Sequence, residues 1–98
     1  MKVVISAKAE NDLQDIGDWI AQENNVRAIS FVRELRSACE ALADMPRAFP
    51  LLARSGKTRV RRKPFRSYLI FYRIGKERVE VLHVVHAARD YEKIVFAD

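Results

Sequence analysis

The chain has 98 residues, of which 49% are hydrophobic, and these values suit one globular domain with a modest core and argue against disorder. A single cysteine excludes an internal disulfide and any metal site built from paired thiolates. No apolar run is long enough for a signal peptide or for the ~20 residues of a membrane span. We therefore expect one domain over residues 1–98, cytoplasmic, without membrane contact and without a cofactor or metal.

The net charge of +5 is concentrated in the second half of the chain. Residues 1–50 have a balance of −2, whereas residues 51–98 have a balance of +7. Seven basic residues and no acid lie between positions 54 and 66: Arg54, Lys57, Arg59, Arg61, Arg62, Lys63 and Arg66. This asymmetry indicates an anionic partner, which is nucleic acid, an acidic protein segment or both. The alternative is an edge strand that its charge keeps soluble.

The first half of the chain predicts a strand followed by two amphipathic helices. The β-branched residues near position 4 form the strand, and Ser6 then caps the first helix. A turn at residues 22–25, with Asn25 as the next cap, leads to a second helix over about residues 26–43. The apolar stripes of the two helices are Ala9, Leu13, Ile16 and Ile20, and Ala28, Val32, Leu35, Cys39 and Leu42. So short a turn predicts an antiparallel helical hairpin.

Three strands are predicted after the hairpin. Residues 58–62 alternate until Pro64 interrupts them, residues 67–74 are strongly β-prone, and Gly75-Lys76 forms a hairpin turn. Residues 79–86 are apolar on both faces, which is typical of a central strand. A partly helical tail covers residues 87–98. The predicted class is α+β, in the order βααβββ plus a tail, with the first strand and the helical hairpin packed on a small, mainly antiparallel sheet.

Most residues capable of chemistry have a structural interpretation. Asp12, Asp15 and Asp18 fit a solvated helix face better than a metal site, and Cys39 falls on a core stripe. We expect His83 to be packed beside Val79, Val81 and Val85. The segment that begins at His86 brings an imidazole, a guanidinium and a phenol into one short turn, and both a functional and a structural role remain open for it.

Metal-independent RNA cleavage needs a base, an acid and cations for the phosphorane. His86 is the candidate base or acid, and Tyr91 is the candidate stacking partner or proton relay. Arg66, Arg73 and Arg89 are the candidate charge stabilisers.

Nearly the whole chain resembles the RelE/ParE superfamily of toxins from type II toxin–antitoxin systems. The resemblance rests on the segment AENDLQDI at residues 9–16, the strand YLIFYRI at 68–74, and VEVLHVVHAARDY at 79–91. The ending V-x-H-x-x-R-D after a Y-x-I-x-Y-R strand resembles the ParE-like branch. The resemblance implies the RelE/ParE-like fold.

The branches of this superfamily act differently. RelE-like members are ribosome-dependent mRNA endonucleases with Lys, Arg and Tyr on the concave sheet, whereas ParE-like members lack that set and poison DNA gyrase. Matching Tyr72 to the RelE tyrosine places Leu69 where RelE carries a catalytic arginine. Arg59, Arg61 and Arg62 fall near its paired lysines. YoeB-like relatives use a late histidine, which keeps His86 as a nuclease candidate.

The leading hypothesis is therefore a gyrase-inhibiting toxin that binds rather than catalyses. Its predicted binding residues are Arg59, Arg61, Arg62, Lys63, Arg66 and Arg89. The first alternative is a ribosome-dependent mRNA endonuclease, and the second is a non-toxic member of an antitoxin-bound repressor complex. All three imply a cognate antitoxin, a hetero-oligomer with it, and indirect contact with operator DNA. Gyrase, or the ribosome with its mRNA, would be the target.

Overall fold

The protein forms a four-stranded sheet with a helical hairpin on one face and a short helix on the other. The computed structural model describes residues 1–53 and 58–96. In chain order the elements are β1 (Lys2–Ile5), α1 (Ala7–Ala21), α2 (Asn25–Glu40), a 3₁₀ turn (Ala41–Ala43), β2 (Arg61–Phe65), β3 (Tyr68–Gly75), β4 (Arg78–His86) and α3 (Tyr91–Val95). The predicted α+β class and element order are confirmed. Within the described residues no helix is long and apolar enough to cross a membrane.

The sheet order is β1-β4-β3-β2. β1 pairs with β4 in parallel, while the β4–β3 and β3–β2 pairs are antiparallel, so the sheet is mainly antiparallel as predicted. β4 is central because its valines are apolar toward both faces, and Val79, Val81, Val84 and Val85 are all buried.

Each face of the sheet carries its own core. The face under the helical hairpin packs Leu13, Leu35, Ile70 and Tyr72 together with residues of β4. The opposite face packs a smaller cluster beneath α3: Val60, Leu69, Phe71 and Val85, with Tyr91, Ile94, Val95 and Phe96 against them. Along β3, Tyr68, Ile70 and Tyr72 therefore face the helical hairpin, whereas Leu69 and Phe71 face α3.

The helix caps agree with the sequence at the first helix and differ at the second. Ser6 Oγ accepts the Ala9 N–H at 3.0 Å, as expected of an N-cap. The second cap is Asn24, not Asn25, because Asn24 Oδ1 accepts the Arg27 N–H at 2.9 Å and Asn25 is already helical. Two adjacent asparagines are equivalent by residue type, and only the backbone direction distinguishes them.

The prediction that Pro64 interrupts a strand over residues 58–62 was wrong, because β2 begins at Arg61 and includes Pro64. The Val60 C=O accepts from Leu52 N–H and Arg62 N–H donates to Pro50 C=O, so residues 60 and 62 direct their backbone groups away from β3. By alternation Pro64 also faces outward on this edge strand, and its missing N–H removes no bond to β3.

Two details around β4 also differ from the sequence prediction. The hairpin turn lies at Lys76-Glu77 rather than Gly75-Lys76, with Gly75 paired to Arg78 and a φ of 63° at Glu77. Phe71 pairs with His83 and Tyr72 with Val81, which leaves Leu82 as an extra residue in a bulge. Because of this bulge, Val85 packs in the cluster under α3 while Val79 and Val81 pack under the helical hairpin, so the predicted common face was wrong.

Candidate functional site

The basic residues of β2 are held by contacts within the protein. Arg61 Nη1 donates to the Phe49 C=O at 2.7 Å, and Arg62 Nη1 donates to the Tyr91 hydroxyl at 3.1 Å. The two side chains thus tie the edge strand to the loop before it and to α3. A partner that binds these cations has to compete with these bonds or use their remaining N–H groups.

Lys63 braces the same strand against α2. Its Nζ donates to the Ala38 C=O at 2.7 Å and lies 5.4 Å from the centre of the Phe49 ring. Partial burial lowers the pKa of Lys63. The accepting carbonyl is in the last turn of α2, where a cation also interacts favourably with the helix dipole.

The remaining predicted binding arginines of this region lie on strained backbone at either end of β2. Arg59 and Arg66 both have a φ of 52°. Arg66 is 59% exposed in its side chain and lies 3.3 Å from Glu34, while Arg59 lines a small pocket of ≈ 190 Å³ with Arg47 and Arg61. Arg54 and Lys57, which belong to the basic run, lie outside the described residues.

A groove of ≈ 450 Å³ opens where β4 ends beside α1. Its α1 wall consists of residues at spacings of three and four, which share one helix face. Trp19 on this wall is 69% exposed. The residues that line the groove are Asp12, Asp15, Ile16 and Trp19 from α1, Tyr68 from β3, Val84, Val85 and His86 from β4, and Arg89.

The turn after β4 orients His86 in this groove. The His86 Nδ1 accepts the Ala88 N–H at 3.1 Å, and the Arg89 N–H donates to the His86 C=O at 3.0 Å. The imidazole meets the Tyr68 ring edge-on at 5.2 Å. In the neutral form, Nε2 therefore carries the proton and remains available as a donor.

The structure brings together only some of the proposed nuclease residues. His86 and Arg89 share the groove, but Tyr91 packs against Phe71 at 5.1 Å in the cluster beneath α3. Arg73 pairs with Glu80 of β4. Along β3, Arg73 is five residues from Tyr68, a distance of about 16 Å at the usual strand rise. Arg66 meets Glu34 of α2 and does not line the groove.

Sequence reasoning missed the role of Asp12. Its Oδ2 accepts the Val84 N–H at 2.9 Å, on the part of β4 that extends beyond β1. His83 Nδ1 lies 3.5 Å from the same oxygen, too far for a strong hydrogen bond. Partial burial raises the pKa of the Asp12 carboxyl, although the Val84 N–H and His83 act in the opposite direction. The sequence signal for this role was the difference in length between the first and last strands. The longer strand extends beyond its partner, and its backbone N–H groups there need another acceptor.

Asp15 and Asp18 are exposed on α1, as expected of a solvated helix face. Within residues 1–53 and 58–96, no three His, Cys, Asp or Glu side chains cluster as metal ligands. Cys39 is fully buried, and burial raises the pKa of its thiol to about 11.

The architecture, with a helical hairpin over a four-stranded sheet, is that of ParE-like toxins. A family model described as "ParE toxin of type II toxin-antitoxin system, parDE" matches residues 3–91. The chain belongs to this ParE toxin family. It is also similar to a solved structure, "Chromosomal ParDE TA system from P. aeruginosa", with a TM-score of 0.72 and 17% identity over 88% of this chain and 95% of that chain. No curated protein matches the chain.

Proposed function

We propose that the protein is a toxin that inhibits DNA gyrase by binding it and that a cognate antitoxin neutralises it. One observation carries the choice of binding over catalysis. Leu69, at the position that the resemblance aligns with a catalytic arginine of RelE-like nucleases, is 8% exposed and packs with Phe71 and Val85. Tyr91 and Ile94 cover this side of the sheet, so the Leu69 position is part of an apolar core.

The separation of the candidate catalytic residues supports the same choice. Proton transfer needs groups within hydrogen-bond reach of one reacting phosphate. His86 lies at the end of β4 that pairs with Tyr68, whereas Arg73 lies toward the opposite end and is engaged by Glu80. Tyr91 has its hydroxyl bonded to Arg62.

The test is gyrase supercoiling with purified, antitoxin-free protein, together with detection of trapped cleaved DNA. We expect loss of supercoiling and accumulation of cleaved DNA. The double variant His86→Ala/Arg89→Ala, with unchanged circular dichroism, is assayed beside the wild type because mRNA cleavage by that pair would be lost in it. Normal gyrase turnover at saturating folded toxin would overturn the proposal.

One observation favours a second candidate function. His86 and Arg89 line the same groove, so a ribosome-dependent mRNA endonuclease would use this pair. Primer extension on mRNA from cells that express the toxin tests it. Cuts at defined sites that disappear in the double variant would support this function, and full toxicity of the double variant would exclude it. Absence of growth arrest with free wild-type protein would leave the repressor-complex hypothesis.

A further inference from the structure

A small pocket near the turn between β3 and β4 is walled by three arginines. The residues that line it are Arg47, Arg59, Arg61, Ile74 and Gly75, and its volume is ≈ 190 Å³. Among the described residues that line this three-arginine pocket, none is acidic. Sites for whole cofactors usually measure about 300–1,000 Å³, so this pocket suits a single anionic group rather than a complete nucleotide.

Hydrogen bonds between the loop and the sheet hold the pocket in shape. Arg61 Nη1 donates to the Phe49 C=O at 2.7 Å, and the Tyr72 hydroxyl donates to the Pro46 C=O at 2.7 Å. These two bonds fix the loop that carries Arg47 against β2 and β3. The arginines are therefore brought together by the fold itself, and a ligand does not have to order the loop when it binds.

The charges of the pocket are largely unneutralised within the protein. Arg47 and Arg59 are exposed, and neither has an ion-pair partner among the residues that the structure describes. Glu80 lies close to Gly75, but its carboxylate is paired with Arg73 and Arg78. Three guanidinium groups around one small space repel each other, so an anion placed between them would be stabilised by all three.

The geometry of the donors favours a phosphate group. Guanidinium groups bind both carboxylates and phosphates through paired N–H groups. A carboxylate presents two oxygens in one plane, whereas a phosphate presents four oxygens in a tetrahedral arrangement, which suits donors that approach from three sides. Arg61 takes part although it already bonds to Phe49, because a guanidinium has five N–H groups.

The composition of the pocket favours the backbone of a duplex as the source of this phosphate. Among the described residues that line the pocket none is aromatic, and Ile74 is the one large apolar side chain. Proteins hold single strands largely by stacking the bases on aromatic side chains. A duplex has its bases already stacked and requires only contacts to phosphate. Lys76 and Arg78, which are exposed at the adjacent turn, add positive charge for neighbouring phosphates.

We infer that the three-arginine pocket binds one backbone phosphate of duplex DNA. In taking this duplex to be the DNA that gyrase holds, the inference deepens the proposed function and rests on it. The contact does not depend on base sequence, because a phosphate carries no sequence information. It gives the toxin a hold on the substrate of its target in addition to its hold on the enzyme.

The probe is a short fluorescein-labelled DNA duplex, titrated with purified toxin by anisotropy at several salt concentrations. We expect the double variant Arg47→Gln/Arg59→Gln, with unchanged circular dichroism, to weaken binding about tenfold at about 0.1 M salt. The slope of log K against log salt concentration should fall by about one rather than two, because the two arginines share one phosphate.

The matched control is Lys8→Gln/Arg33→Gln, which removes two exposed cations from the helices. It changes the net charge of the protein by the same amount. The salt slope of this control should be unchanged and its affinity should stay within about twofold of the wild type, since distant charges are screened at this ionic strength.

Each contrary outcome overturns the inference. Absence of DNA binding, or an equal loss in the pocket variant and the control, would leave attraction by net charge alone. A fall of two in the salt slope indicates separate phosphate contacts instead of one pocket. Tighter binding of single-stranded RNA of the same length, lost in the pocket variant, assigns the pocket to RNA. Displacement of the duplex by ATP at a lower concentration than by unlabelled duplex assigns it to a free nucleotide.

The assay contains no gyrase, so the two proposals fail separately. Pocket-dependent binding of DNA by a protein that leaves gyrase unaffected would support the pocket and overturn the proposed function. Gyrase inhibition by a protein that does not bind the duplex would support the proposed function and overturn the pocket.

Discussion

Asp12 completes the hydrogen bonding of β4 where β1 has ended. Its carboxylate is the acceptor for the Val84 N–H, and His83 lies 3.5 Å from the same oxygen. We expect Asp12→Ala to lower the free energy of unfolding by about 1–3 kcal/mol, because a partly buried N–H loses its acceptor. Asp12→Asn keeps an acceptor oxygen and should be milder. Urea denaturation measures both, and equal stabilities of the two variants would contradict this role.

The same residue gives a pH dependence whose sign follows from its burial. A carboxyl whose pKa is raised in the folded state stabilises the protein most when it is protonated, at a pH below its ordinary pKa of 3.8. This stabilisation is lost as the pH rises through the raised pKa. The wild type should therefore lose stability relative to Asp12→Asn between about pH 3.5 and pH 7. Denaturation curves of the wild type and Asp12→Asn at the two pH values check this. A stability difference between them that is the same at both pH values would rule it out.

The two asparagines at the start of α2 should differ in their effect on stability although they are adjacent in sequence. Asn24 caps the helix through the Arg27 N–H, so Asn24→Ala should destabilise the protein by about 1 kcal/mol. Asn25 is exposed and already helical, and Asn25→Ala should change the stability by no more than a few tenths of a kcal/mol. Thermal unfolding of the pair is the measurement. The reverse order would move the start of α2 to the boundary that the sequence predicted.

At the scale of elements, Pro64 limits what the edge of the sheet can bind. Its missing N–H faces outward, so Pro64→Thr should leave the pairing of β2 with β3 intact and change the stability little. The new outward N–H restores an edge to which another strand can bind, and self-association should therefore increase. Analytical ultracentrifugation compares the self-association of the variant with that of the wild type. A variant that is strongly destabilised yet monomeric would show that Pro64 acts through packing instead.

The elements that the sequence predicted best are those with a strong apolar period. The stripe from Ala9 to Ile16 and the two-sided apolar run of β4 specify which surfaces are buried, and burial dominates their folding. Pro64 and the Lys76-Glu77 turn were misplaced because edge position and backbone direction depend on neighbours distant in sequence. The internal contacts of Arg61, Arg62 and Lys63 were not predictable for the same reason, since their acceptors lie 12 to 29 residues away.

At the scale of the whole molecule, the basic residues have two different roles in the folded protein. Part of the basic run braces β2 against its neighbours, while Arg33 and Arg66 remain exposed. The apolar cluster beneath α3 includes Leu69, which the resemblance aligns with a catalytic arginine of RelE-like nucleases. Together these features favour a protein that acts by occupying surfaces of its partners rather than by turning over a substrate.

The most direct test of this account is the stoichiometry of gyrase inhibition. Purified toxin is titrated against a fixed amount of gyrase, and the supercoiling rate is recorded after equilibration. A binding toxin inhibits in proportion to the gyrase it occupies, so inhibition should approach completion only when the toxin equals or exceeds the gyrase. Unchanged supercoiling at a large excess of folded toxin, together with ribosome-dependent mRNA loss at a small fraction of that amount, would contradict the account and identify a catalytic toxin.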